Sequence, residues 1–97
     1  MDIVFEKTKH ICIRRNNIVL YNGDDALTVI KLCENNNLMV YGIDAFKLYP
    51  NGRIQPFMEF SPEYSCLSAK DSWDASVKFL DENKNKEFMC EIVYKRT

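Results

Sequence analysis

The stretch YPNGR, residues 49–53, constrains the fold more than any other part of this 97-residue chain. Pro50 presets the backbone angle at the first corner, and Gly52 can take the positive φ that closes a three-residue loop with a bulge. Alternating sequences, AFKLY and RIQPF, flank it. The turn therefore sets a hairpin in which Tyr49 faces Arg53. That register sorts the side chains. Phe46, Leu48, Ile54, Pro56, Met58 and Phe60 fall on one face, which is expected to enter the core. Ala45, Lys47, Tyr49, Arg53, Gln55, Phe57 and Glu59 fall on the other, which is expected to stay open although it carries two aromatic rings.

Around the hairpin the hydrophobic period changes twice. The opening residues hold β-rich runs at 3–5, 11–13 and 18–21, with RRNN as a turn because Asn tolerates left-handed angles. GDDALTVIKLCENNN has helical spacing at Ala26, Val29, Ile30 and Cys33, with Asp24 and Asp25 suited to cap its first turn. SPEYSCLSAK reads as a loop. DSWDASVKFLDENKN reads as a second helix, capped by Asp71 or Ser72, with Trp73, Val77 and Leu80 turned inward over a small Ser76. EFMCEIVYK closes as a strand, with Phe88, Cys90, Ile92 and Tyr94 on one side and Met89, Glu91 and Val93 on the other. The expectation is one α+β domain over residues 1–97: a mostly antiparallel sheet of four to six strands with two helices packed on one face.

Composition enters where partners are concerned. The chain is 46% apolar and 28% charged, which suits an ordered globular domain, and its net charge is −1. The charge is uneven along the sequence. Residues 1–21 carry four basic and two acidic side chains, residues 22–82 five and ten, and residues 83–97 four and two. An acidic middle argues against direct contact with nucleic acid and for a basic protein partner. MDIVFEKTKH has neither a long apolar core nor a cleavage pattern, and no apolar run is long enough to cross a bilayer. The chain is expected in the cytoplasm. Its four cysteines, Cys12, Cys33, Cys66 and Cys90, form no C-x-x-C pair, so small apolar packing residues are expected rather than a metal site.

Catalytic patterns are thin. His10 and Cys12 sit two apart in a possible strand, the minimum for a Cys–His pair, without an oxyanion loop. Asp44 and Glu59 approach across the hairpin, but the register aims them at opposite faces unless a bulge at Gly42 re-aims Asp44. No glycine-rich phosphate loop exists, because the three glycines are Gly23, Gly42 and Gly52. A small hydrolase using His10, Cys12 or Asp44, and an adaptor domain for a basic protein, remain as alternatives to an inhibitor.

The order ALTVIKLCENNN, LMVYGID, YPNGRI, SPEY, second helix and final strand resembles a known family. It is similar to the immunity proteins that neutralise tRNA-cleaving colicins of the anticodon-loop type, and to related immunity proteins of contact-dependent inhibition systems. The resemblance spans residues 24–95, and its most specific pieces are YGID and PEY. It implies a bacterial inhibitor that occludes the active site of a basic toxic nuclease in a one-to-one complex, with no cofactor, no metal, no membrane and no catalysis of its own. Carboxylates would stand in for phosphates and aromatic rings for stacked bases. The toxin-binding residues implied are Asp44, Lys47, Tyr49, Arg53, Gln55, Phe57, Glu59, Glu63 and Tyr64. Tyr49, Phe57 and Tyr64 would anchor the complex, and Lys47 and Arg53 would pair with toxin carboxylates to supply specificity. The leading twenty or so residues depart from the family pattern and are expected to add strands.

Overall fold

The computed structural model describes residues 2–95. Its first element departs from the strand expected at residues 3–5. The Asp2 side chain accepts the Phe5 N–H at 3.0 Å and starts a short helix, α1 (Ile3–Thr8). Val4 and Thr8, four apart, bury one helical face, and the Thr8 hydroxyl shares a 2.7 Å hydrogen bond with the Tyr21 hydroxyl. A cap and one buried i,i+4 pair thus overrule the β preference of Ile, Val and Phe.

Strands β1 (Ile13–Arg15) and β2 (Ile18–Leu20) form a hairpin on Asn16 and Asn17, both at positive φ, as the RRNN turn requires. Helix α2 (Gly23–Asn35) buries Ala26, Val29, Ile30 and Cys33 as the spacing predicts. Its cap is Asn22, whose side chain accepts the Asp25 N–H at 2.8 Å, while Asp24 and Asp25 occupy the first turn. It ends where Asn37 takes φ +60° and the Leu38 N–H reaches back to the Cys33 carbonyl at 2.8 Å.

The long strand β3 (Val40–Leu48) lies between β4 (Ile54–Pro56) and β5 (Met89–Tyr94), antiparallel to both. The five strands therefore divide into a two-stranded and a three-stranded sheet, where a single sheet was expected. One antiparallel bridge joins them: Tyr21 and Cys90 exchange backbone hydrogen bonds of 2.7 and 2.8 Å. Beyond β4 a 3-10 turn (Met58–Phe60) and a loop lead to helix α3 (Ala69–Glu82). Ser68 caps it, in place of Asp71 or Ser72, by accepting the Asp71 N–H at 3.1 Å.

Helices α2 and α3 cover the sheet face that carries Ile43, Ala45, Cys90 and Ile92. Full burial of a residue such as Ile30 or Ile43 contributes roughly 2–3 kcal/mol. Helix α3 is turned from its expected stripe: Ser72, Ser76 and Leu80 are buried, while Val77 is 41% exposed. The rotation follows from two hydrogen bonds. The Ser72 hydroxyl accepts the Val40 N–H at 3.2 Å, and Trp73 Nε1 donates to the Leu38 carbonyl at 2.8 Å. Small serines at the contact let the helix approach the strand start closely. Among the described residues no helix is long and apolar enough to cross a membrane.

Gly42 is where this packing is least forgiving. A Cβ there would stand 2.9 Å from the Pro62 carbonyl oxygen, whereas one on Gly23 would meet nothing within 4 Å. Gly42→Ala is expected to destabilise the fold by about 1–3 kcal/mol, about 5 °C or more in Tm. Gly23→Ala is expected to be neutral or slightly stabilising. Thermal unfolding followed by circular dichroism checks the pair, and equal melting temperatures would remove the packing argument.

Candidate functional site

The site grows from the crossing of the two short motifs, YGID and SPEY. At Gly42 strand β3 has a bulge relative to β5, and on its other edge β4 has already ended. The chain from Ser61 to Tyr64 fills that edge. Ile43 N–H donates to the Pro62 carbonyl at 3.1 Å, and Tyr64 N–H to the Tyr41 carbonyl at 2.7 Å. Gly42 and Glu63 form an isolated antiparallel bridge. Without a side chain at position 42 the loop backbone can lie directly against the strand.

This crossing leaves a groove of about 330 Å³ on the side away from the helices, with Asp44, Glu63, Tyr41, Met58 and Val93 among its lining. Asp44 stands opposite Glu91 in the β3–β5 register. The Glu63 carboxylate accepts a 2.8 Å hydrogen bond from the Ser65 hydroxyl. The three ion pairs among the described residues, Lys9–Glu6, Lys70–Asp74 and Lys84–Asp81, all lie elsewhere. Met58 is 80% exposed at the rim, with Tyr41 and Val93 also exposed. Two carboxylates outside those ion pairs, beside apolar side chains, form a surface suited to a cation on a short apolar stem.

The remaining expected site residues divide into three groups. The hairpin register is as the turn dictates, with Leu48 facing Ile54, Lys47 facing Gln55, and Tyr49 N–H donating to the Arg53 carbonyl at 2.8 Å. Its sidedness holds in part: Phe46 is buried and Lys47, Arg53, Gln55 and Glu59 are exposed as expected, but Ala45 is not open. Ala45 is fully buried on the helix side, so the row Ala45, Lys47, Tyr49 points toward the helices and escapes them only at its far end. There Lys47 Nζ sits 5.0 Å from the Tyr49 ring centroid, and the Tyr49 hydroxyl donates to Gln55 Oε1 at 2.6 Å. Arg53 and Glu59 are exposed.

Phe57 and Tyr64 correct the expectation of a displayed aromatic face. Strand β4 stops at Pro56, so alternation stops with it. The 3-10 turn packs Phe57 and Phe60 on the main core, edge to face at 6.1 Å, and turns Met58 and Glu59 out. Tyr64 is buried, and its hydroxyl donates to the Ala75 carbonyl of α3 at 3.4 Å. Burial, with some help from the Glu82 charge, pushes its hydroxyl up to about 12. It clamps a helix. Sequence reasoning missed Tyr41 and Met58 as site residues; the glycine of YGID, which marks a close backbone approach, was the available signal for Tyr41.

The groups singled out for chemistry stay apart. His10 is exposed in the turn after α1, off any strand, and the Cys12 thiol donates to the Lys9 carbonyl at 3.3 Å. Among the described residues no three of His, Cys, Asp and Glu converge as a metal would need. Comparison with protein-family models, with curated proteins and with solved structures finds no match for this chain.

Cys33 and Cys90 are fully buried, and desolvation pushes each thiol up to about 12 from an ordinary value of 9.0. The folded protein keeps these protons where the unfolded chain loses them. Stability present at neutral pH is therefore lost as pH rises from about 9 to about 12, with Tyr64 adding to the same loss above about 10. Urea midpoints at pH 7, 9 and 10.5 are expected to fall in that order, and a flat series would contradict the burial. A thiol reagent should label the exposed Cys66 in the native protein, and Cys33 and Cys90 only after unfolding.

Proposed function

We propose that this chain is a bacterial immunity protein, a cytoplasmic inhibitor that binds and occludes a cognate toxic nuclease, with a tRNA-cleaving toxin favoured by the resemblance of YGID and SPEY. The observation that supports it best is the groove at which those two motifs cross. It brings Asp44 and Glu63, both implied by the resemblance, to one apolar-rimmed surface, with neither in an ion pair among the described residues.

A nuclease that grips RNA needs basic side chains lining its cleft. Lys or Arg from that cleft can enter the groove, give its charge to Asp44 and Glu63, and lay its methylene stem against Met58 and Val93. Tyr41 offers a ring at the rim for the flat face of an arginine. Inhibition needs no reaction. The inhibitor occupies the volume the RNA would fill, and long-range attraction between acidic and basic surfaces speeds encounter. The groove alone is too small for a stable interface of about 800 Å² per partner, so it acts as the centre of a wider contact that includes Glu59 and the exposed hairpin.

The test uses a toxin gene found directly upstream of this one. Co-expression of the native chain is expected to restore growth, and Asp44→Lys with Glu63→Lys is expected to weaken the complex at least about 100-fold and abolish protection. Circular dichroism confirms that the double variant is folded. Full protection by the folded variant would remove the groove from the mechanism.

A further inference from the structure

Two turns far apart in sequence meet in space. Arg15, at the end of β1, brings its Nε within 3.6 Å of the position a Cβ would take on Gly52. Gly52 closes the β3–β4 turn at φ +88°, and Arg53 follows it, exposed. Lys47 lies over the Tyr49 ring at the base of the same turn. Both tips are held in shape. Arg15 Nη1 donates to the Arg14 carbonyl at 2.8 Å, and the Asn51 side chain accepts the Arg53 N–H at 3.0 Å. None of the three cations is in an ion pair with a described residue.

We infer that Arg15, Lys47 and Arg53 form one composite basic surface that docks a carboxylate cluster on the partner protein, so that the N-terminal hairpin takes part in recognition. The inference deepens the reading above and rests on it for the partner's identity, while its chemistry rests on the meeting of the two turns. Arginine forks match carboxylates in paired hydrogen bonds, and the turns that carry them, already fixed in backbone, need little ordering on binding. A nucleic acid fits less well. Three cations neutralise about three phosphates, against the six to ten of a strong binder. The surface is a second contact of opposite sign to the Asp44–Glu63 groove, and a partner that carries both complements can dock in only one orientation.

A titration of the ¹⁵N-labelled full chain at low salt, with a hexaglutamate peptide in one arm and a uridine hexanucleotide in the other, tests this. The peptide is expected to shift amide signals of residues 14–17 and 49–53 with one common Kd. Arg15→Gln should weaken that Kd about threefold, at residues 49–53 as well as at its own turn. Arg53→Gln should do the same in the reverse direction, and Arg15→Lys, which keeps the charge and loses the fork, should fall between the native chain and Arg15→Gln. Shifts confined to one turn, no effect of Arg15→Gln at 49–53, or tighter binding of the hexanucleotide would each overturn the composite surface. Loss of toxin protection by the native chain would sink the inhibitor reading alone, because the peptide arm does not depend on it.

Discussion

The approach of the Pro62–Glu63 backbone to Gly42 is the contact on which the rest is hung. A strand that loses its partner midway presents unpaired N–H and C=O groups, which cost free energy if buried and invite pairing if exposed. Here the loop after β4 returns to the same edge of β3 and supplies those partners itself, from Pro62 to Ile43 and from Tyr41 to Tyr64. Three consequences follow from one crossing. Glu63 is carried to the side of Asp44, Tyr64 is driven inward under α3, and the start of α3 is brought near enough for Ser72 to take the Val40 N–H. Structural and functional demands on YGID and SPEY therefore coincide, and a change at Gly42 would disturb both.

The second constraint is the Tyr21–Cys90 bridge, the backbone link between the two sheets. Leu20 is fully buried and Phe46 nearly so, yet neither belongs to the main core cluster beneath the helices. The N-terminal hairpin thus joins the main sheet through that single bridge, and its tip reaches the β3–β4 turn through Arg15. Segment counts of charge miss this. Lys47 and Arg53 belong to the acidic middle by sequence and to the basic tip by position. The fold separates along its surface what the chain interleaves.

What the sequence made legible was local. The YPNGR turn and the RRNN turn carry their own backbone angles, and the α2 spacing names its buried residues without reference to any neighbour. The β3–β4 register followed from loop length alone. Sidedness was not local. A strand period of two fixes which residues share a face, but the side chosen by the helices decides which face they cover: Ala45 joins the main core beneath them, while Phe46, one residue on, is buried apart from that core. The same limit explains Val77, exposed by a rotation that two distant hydrogen bonds impose. Asp44 and Glu63 came together through a loop return that no periodicity records, and Phe57 went inward because its strand ended one residue earlier.

If the acidic groove and the inferred basic tip both meet the proposed partner, their opposite charges would divide the work of recognition. At low ionic strength the net charge of −1 gives little overall attraction, so steering comes from the separation of charge rather than its sum. Under the proposed function, acidic groove and basic tip together would make a dipole that turns the protein as it approaches its partner and raises the fraction of productive encounters. Holding the complex is a different task. Exposed cations on turns are screened within about 8 Å at physiological salt and lose little on release. The groove, where a partner's side chain would lie between Met58, Val93 and the two carboxylates, is where desolvation would lengthen the life of a bound cation. On that proposal the tip would govern the rate of arrival and the choice of partner, and the groove the rate of departure.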